Sequence, residues 1–294
     1  MDPMNRIYHW ATYVFDPLHE FWERDSTQRT VAGILVFVFL LSLVVIEAKR
    51  QGLLAGGMAE MIPTNHYMAI NLAFTLVLIL EVVSLIFTLP CSISKAVGKQ
   101  FEILALILLR SAFKTLADFP EPIAITGHEQ ELWIIMSDGG GAIAIFALLG
   151  VYTMLRRNLD ETLTRGNTLF KFVAAKKIVA LVILVIFLGM GAKNCLLLLS
   201  GEHPHHFFKS FYTILIFSDI MLVLIAQRFL PAFRAVFRNS GFALATLLIR
   251  LALTAPPYYN VLIGIGSAVF ACLLTLVYNT FYSVKGGRKR IRQG

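Results

Sequence analysis

Eight long apolar segments dominate this sequence. They cover residues 30–46, 67–89, 101–117, 133–155, 177–199, 208–228, 241–255 and 258–284. Each is long enough, or nearly so, to cross a hydrocarbon core about 30 Å thick at about 1.5 Å per helical residue. Because 57% of the residues are apolar and only 15% are charged, we predict an all-α integral membrane protein with eight transmembrane helices. The third and seventh segments are short and carry Arg110 and Arg250, so six spans with two reentrant segments are the alternative.

Lys and Arg residues are distributed unevenly between the predicted loops. On the eight-helix arrangement, one side of the membrane carries 19 of the 26 Lys and Arg residues and the other side carries 4. Cytoplasmic loops are enriched in these residues, so both termini are predicted to be cytoplasmic. The basic residues lie next to helix ends, where they attract anionic lipid. The net charge of +8 therefore does not indicate nucleic-acid binding.

The eight segments form two similar halves. Residues 96–114 align with 235–254, so that Arg110 meets Arg250, and residues 140–152 align with 266–278. Similarity in the same order along the chain predicts a duplicated four-helix unit, with the two copies parallel and related by a pseudo-twofold axis along the membrane normal. The predicted domains are an amphipathic helix (1–29), the first unit (30–156), a basic linker (157–176), the second unit (177–284) and a basic tail (285–294).

The N-terminal stretch has apolar residues at helical spacing, which predicts an amphipathic helix. We expect it to lie in the membrane surface. Docking against a partner protein and a disordered leader are the alternatives. The predicted membrane-surface anchors are Trp10, Trp22, Arg156, Arg157, Lys176 and Lys177.

Each predicted unit places one acid and one arginine within its apolar segments. Glu81 lies eight residues before the end of the second segment, and Arg110 lies nine residues after the start of the third; Asp219 and Arg250 match them in the second unit. Charges at membrane depth cost roughly 2.5–3.5 kcal/mol each and are normally paired. We therefore expect one acid–arginine pair in each unit. These pairs either fix helix register alone or line a path for ions or protons.

Two further residues are candidates for an ion path. Lys114 lies one turn after Arg110 on the same face, but Thr254 replaces it in the second unit, so there is no regular row of arginines of the voltage-sensor kind. Asp138 precedes three glycines, at 139–141, near the start of the fourth segment. Such glycines predict close helix packing, and an ion-binding broken helix with Asp138 as ligand is the alternative.

Ligand-type side chains cluster at the predicted non-cytoplasmic face. They are Glu202, His203, His205 and His206, with His66 as the counterpart in the first unit. An exposed loop is the simplest interpretation, and a metal or haem site is the alternative. No histidine lies well inside an apolar segment, so no cofactor is predicted.

Each predicted unit resembles the PsiE (phosphate-starvation-inducible E) family of small bacterial four-helix membrane proteins. That family places an acid in helix 2 and an arginine late in helix 3, before a short polar turn into helix 4. The similar residues are Glu81, Arg110 and Asp118, with Asp219 and Arg250 in the second unit. The second unit departs from the family pattern at residues 255–257, where Ala-Pro-Pro stands in place of the acid that matches Asp118. The resemblance implies a tandem fusion in a bacterial inner membrane and brings no assigned activity.

Motifs of soluble catalysis are missing from the sequence. There is no Gly-rich phosphate loop, no GxSxG and no HExxH, and the three cysteines form no metal or redox spacing, so we expect no enzyme activity. The first interpretation is a non-catalytic membrane subunit or anchoring component, with protein partners or a homo-oligomer. The alternative is an ion or proton channel, or a secondary transporter, that uses the two acid–arginine pairs as its charge path.

Overall fold

The computed structural model describes residues 3–53, 62–156, 167–199, 207–229 and 231–291. Within these ranges the regular structure is helical, which confirms the all-α class. The helices are α1 (Pro3–Glu23), α2 (Asp25–Arg50), α3 (Tyr67–Thr88), α4 (Ile93–Lys114), α5 (Glu129–Arg156), α6 (Asn167–Leu199), α7 (Phe207–Phe229), α8 (Phe233–Thr254) and α9 (Tyr259–Ile291). A short 3-10 helix at Thr115–Asp118 follows α4.

Seven of the described helices are long and apolar enough to cross a membrane. They are α2, α3 and α5 to α9. The helix α4 is not among them, since it carries Lys95, Lys99, Glu102, Arg110 and Lys114. The chain is therefore a multi-pass helical membrane protein.

Most of the helices start earlier than their predicted apolar segments, and α4 and α8 are two examples. The helix α4 begins at Ile93 rather than 101, and α8 begins at Phe233 rather than 241. The prediction excluded these first turns because they are charged. In α4, however, Lys95 and Lys99 are exposed on one face while the opposite face is buried, so the turns are amphipathic and stay helical.

Prolines mark several helix boundaries. Pro90 lies between α3 and α4, Pro231 precedes α8, and Pro256 and Pro257 follow it. Proline lacks the amide hydrogen that a helix interior needs and disfavours the helical conformation of the preceding residue. These prolines therefore separate consecutive helices by short turns.

The contacts between helix ends define two ends of the bundle. At the end that carries Lys95 and Lys99, which we call the basic end, the start of α4 meets the end of α5, and the Tyr152 hydroxyl donates a hydrogen bond of 2.8 Å to the Ser94 carbonyl. At the opposite end, which carries Glu47 and Glu121 and which we call the acidic end, the end of α2 meets the start of α3, and Glu47 lies 3.2 Å from the ring of His66. Consecutive helices from α2 to α5 thus run in opposite directions between these two ends.

The buried apolar residues form two clusters. One joins α4, α5, α8 and α9, and the other joins α1, α3, α6 and α7. The helix α2 buries only Ile46, so most of its surface is open to lipid. The functional candidates lie where α4 and α6 to α8 approach each other, next to both clusters.

Candidate functional site

The acid–arginine pair of the first predicted unit makes a direct hydrogen bond. The Arg110 guanidinium donates to Oε1 of Glu81 and so joins α4 to α3. The Arg110 side chain is 30% exposed and that of Glu81 is 11% exposed, which places the pair near the edge of the bundle. The contact fixes the register of the two helices.

The pair of the second predicted unit is looser and more deeply buried. Nε of Arg250 on α8 lies 3.6 Å from Oδ2 of Asp219 on α7, which is beyond hydrogen-bond distance. Arg250 is 0% exposed. Within the described ranges, none of its three guanidinium nitrogens has a hydrogen-bond partner, and neither does Oδ2 of Asp219. Since buried polar atoms are rarely left unpaired, this pair has hydrogen-bonding capacity that the described protein groups do not fill.

A small cavity of about 30 Å³ adjoins Asp219. A volume of about 10–15 Å³ already admits a water molecule if two or more polar groups face it. The polar residues of the cavity wall are each at most 5% exposed. They are Gln100 on α4, Lys176 on α6, Asp219 on α7, and Asn239 and Thr246 on α8, and together with Arg250 we call them the polar cluster.

Three members of the polar cluster were not predicted from the sequence. They are Gln100, Asn239 and Thr246. Oε1 of Gln100 and Oδ1 of Asn239 are buried without a partner in the described part of the chain. Asn239, Thr246 and Arg250 are spaced seven and four residues apart, which places them on one face of α8, and we call them the polar stripe. Gln100 and Asn239 were missed because the predicted segments began just after them.

Lys176 was predicted to be a surface anchor, but it is buried. Its ammonium group donates hydrogen bonds to the carbonyls of Cys91, at 2.7 Å, and Pro90, at 3.4 Å, just beyond the end of α3. It also lies 4.7 Å from the centre of the Phe172 ring. A helix C-terminus and an aromatic face both stabilise a cation. The prediction was wrong because α6 begins at Asn167, so the last ten residues of the predicted linker are helical.

The other predicted basic anchors contact protein where they are described. Nζ of Lys177 lies 2.6 Å from a carboxylate oxygen of Asp16 and so ties α6 to α1. The Arg156 guanidinium reaches the Ser94 carbonyl at 3.5 Å. Arg157 lies outside the described residues. Binding of these groups to anionic lipid stays a prediction.

The predicted amphipathic helix is present as α1 and packs on the bundle. Phe15 is buried against α3 and α6. The Trp22 indole N–H donates to the Ser84 hydroxyl at 2.9 Å, and its ring stacks on Phe87, so Trp22 anchors α1 to α3. Trp10 is 62% exposed, as an anchor in the headgroup layer requires. Whether α1 lies in the membrane surface stays a prediction.

Asp138 is buried between α5 and α9, where it is 1% exposed. The Asn260 side-chain amide donates to Oδ1 of Asp138 at 2.9 Å. A Cβ atom on Gly141 would lie 2.5 Å from Val261, so the two helices pack closely here, as the glycines predicted. The helix α5 continues unbroken through residues 139–141, so the broken-helix alternative is wrong.

Lys114 is the last residue of α4 and is exposed. It does not line the cavity beside Asp219. The structure therefore separates Lys114 from the polar cluster, although it lies one turn after Arg110. A role for Lys114 in an ion path stays a prediction.

His66 belongs to an ionic network at the acidic end. Its ring lies 2.9 Å from Glu121 and 3.2 Å from Glu47. Arg50 lies 3.6 Å from Glu121. The His66 backbone N–H also donates to Glu121, and these contacts hold the pKa of Glu121 below its ordinary value. The network ties α2 to the start of α3 and to the segment that follows α4.

The other proposed metal or haem ligands, at 202–206, lie outside the described residues. In the part of the chain that is described, no three His, Cys, Asp or Glu side chains are placed to hold a metal ion. A metal or haem site therefore stays an alternative prediction. No family model, curated protein or solved structure matches this chain.

Proposed function

We propose that this protein moves protons or a small ion across the membrane through the polar cluster. The observation that supports this function best is the polar stripe on α8. Asn239, Thr246 and Arg250 are buried along one face of a helix that is apolar enough to span a membrane. The 11 residue steps from Asn239 to Arg250 correspond to about 16 Å, which is about half the thickness of a hydrocarbon core.

The polar cluster extends towards both ends of the bundle. Lys176 lies at the basic end, beside the carbonyls that follow α3. Arg250 lies four residues before the end of α8, near the acidic end. Gln100 and Asn239 lie on the wall of the cavity that also contacts Asp219. A file of polar groups through an apolar bundle is the arrangement that ion and proton paths use.

A purely structural role explains the polar cluster less well. Gln100, Asp219, Asn239 and Arg250 each bury at least one polar atom that has no partner in the described ranges. Each such atom costs about 1–3 kcal/mol unless water or an ion binds it. Replacing a buried charge pair with apolar side chains is often neutral or stabilising, so stability alone does not account for these residues.

The side chains of the polar cluster suggest distinct roles. Asp219 accepts the proton or balances the ion, and the guanidinium of Arg250, 3.6 Å away, attracts its carboxylate by charge. Gln100 and Asn239 orient water or the ion in the cavity. Lys176, which bonds the carbonyls at the basic end, closes the cavity there.

The proposal includes the repeat architecture and its orientation. The helices α4 and α8 each have 22 residues, and each carries its arginine four residues before its end. The helix α4 packs on α5 as α8 packs on α9, and α4 and α8 also contact each other. These correspondences support two parallel four-helix units. We further propose that the units are PsiE-like and lie in a bacterial inner membrane, with both termini in the cytoplasm because the basic loops lie on that side.

Flux through the purified protein tests this function. The protein is reconstituted in liposomes, and proton, sodium, potassium and chloride flux is measured under an imposed gradient of either polarity. The proposal expects flux of one species above that of protein-free liposomes. Absence of flux for all four ions under both polarities contradicts it.

A non-catalytic membrane subunit is the second candidate function. It is favoured by α1, which exposes a row of large apolar side chains beside the bundle. They are Ile7, Trp10, Tyr13, Leu18 and Phe21. Purification from native membranes in a mild detergent tests this candidate. A partner that copurifies in a fixed ratio with the wild type, but not with a variant in which Trp10 and Phe21 are replaced with Ser, supports it. A particle that contains this chain alone contradicts it.

A further inference from the structure

Three acidic side chains are buried in the described helices, and one of them differs from the others. Glu81 has Arg110 as its partner, and Asp219 has Arg250. Asp138 is as deeply buried as either, but within the described ranges no Lys, Arg or His lies within ion-pair distance of it. Its charge is therefore not balanced in the way that charges at membrane depth normally are.

The groups around Asp138 are mostly neutral. The helix α9 contributes the Asn260 amide, which donates to Oδ1. The helix α4 contributes the Ser111 hydroxyl. Arg110, which precedes Ser111, bonds Glu81 instead. On α5 itself the nearest ionisable residue on the same face is Glu131, two turns earlier, and it is an acid that cannot supply a balancing cation.

We propose that Asp138 is a proton-binding site, occupied as a neutral carboxylic acid, at the interface of α5 and α9. A carboxylate that is buried without a cation is destabilised relative to the protonated acid, which retains its hydrogen bond from the Asn260 amide. Oδ2 has no hydrogen-bond partner among the described residues. In this proposal Oδ2 is the oxygen that carries the proton. The inference is independent of flux through the polar cluster and goes beyond the proposed function.

The position of Asp138 indicates what its proton does. The two helices belong to different predicted units, and they pack closely at Gly141 and Val261. Protonation keeps this contact neutral, whereas loss of the proton leaves an unbalanced carboxylate between the units. The bound proton thus keeps the interface between α5 and α9 uncharged.

Infrared spectroscopy tests the protonation state directly. Membranes that contain the purified protein at neutral pH are expected to show the carbonyl stretching band of a protonated carboxylic acid. Asp138→Asn should lose this band, and Asp219→Asn should keep it. A spectrum in which Asp138→Asn retains the whole carboxylic band, or a wild-type protein without such a band, overturns the proposal. If Asp138 is instead ionised and holds a metal cation, the wild-type protein lacks this band, so the same measurement excludes or reveals that case.

A second variant keeps the proposal testable if Asp138→Asn does not fold. Asn260→Val keeps the carboxyl group but removes the amide that bonds it. The band should then move to higher frequency, since a free carbonyl is stiffer than a hydrogen-bonded one. An unmoved band shows that it does not arise from Asp138 and contradicts the assignment. Neither readout depends on ion flux, so its outcome is separate from that of the proposed function.

Discussion

Nε of Arg250 lies 3.6 Å from Oδ2 of Asp219, too far for a hydrogen bond, although both side chains are buried. In the first predicted unit, Arg110 bonds Glu81 directly and is 30% exposed. The two pairs therefore differ in contact and in burial, although the predicted repeat aligns one with the other. This difference favours a structural role for the first pair and a functional role for the second.

Removing one partner of the buried pair should strongly destabilise the fold. Arg250→Gln leaves Asp219 without a cation, and breaking such a pair costs about 3–5 kcal/mol. The double variant Asp219→Asn/Arg250→Gln should recover most of the loss, because neither charge is then buried alone. Unfolding in detergent by a chemical denaturant measures the free energies. A double variant whose loss equals the sum of the two single losses contradicts this coupling.

Lys176 and Lys177 are adjacent but should respond differently to substitution. Lys176→Met leaves the carbonyls of Cys91 and Pro90 without their donor, which should cost about 1–3 kcal/mol. Lys177→Met removes the ion pair with the 54%-exposed Asp16 side chain, and such pairs contribute about 0–1 kcal/mol. The same unfolding measurement compares the two variants. Equal losses would show that the burial of Lys176 has no energetic consequence.

The glycines at 139–141 provide a matched pair for helix packing. Gly141→Ala places a methyl group 2.5 Å from Val261, and overpacking of this kind costs about 1–3 kcal/mol. Gly140→Ala meets nothing within 4 Å, so it should be neutral or stabilise the helix by up to about 1 kcal/mol. Adding Val261→Ala should restore the stability that Gly141→Ala loses, because it removes the side chain that the new methyl group meets. Equal shifts of the melting temperature in Gly140→Ala and Gly141→Ala would contradict close packing of α5 against α9 at Gly141.

The Glu121 network should make the acidic end sensitive to low pH. The pKa of Glu121 is lowered, so its contribution to stability is complete above the ordinary carboxyl pKa of about 4.3 and is lost as pH falls through the lowered value. The wild type should therefore exceed Glu121→Gln in stability at neutral pH, and the difference should shrink below about pH 4. Unfolding curves recorded from neutral pH to below about pH 4 measure this difference in stability. A difference that grows as pH falls has the wrong sign for this account.

The fold was more predictable from the sequence than the site. Long apolar runs make spanning helices easy to recognise, and the acid–arginine pairs stood out because charge is rare in such runs. Gln100 and Asn239 were missed because amides near a helix end resemble loop residues in sequence. The burial of Lys176 was equally hidden, since it depends on the tertiary approach of α3 to α6. Asp138 was identified, but the absence of a described cation beside it is a property of the packed bundle.

Ion flux in matched threonine variants tests the central claim most directly. Thr246→Val removes a hydroxyl from the cavity wall without changing its shape, and Asn239→Leu removes an amide from the polar stripe. Thr75→Val is the control, because the Thr75 hydroxyl donates to a carbonyl of its own helix, α3, as the Thr246 hydroxyl does in α8, but Thr75 is not among the residues that line the cavity. The account predicts a loss of flux of about tenfold or more in Asn239→Leu, which corresponds to an energy barrier raised by about 1.4 kcal/mol or more. It predicts a smaller loss in Thr246→Val and wild-type flux in Thr75→Val. Equal flux in all folded variants would contradict a path through the polar cluster.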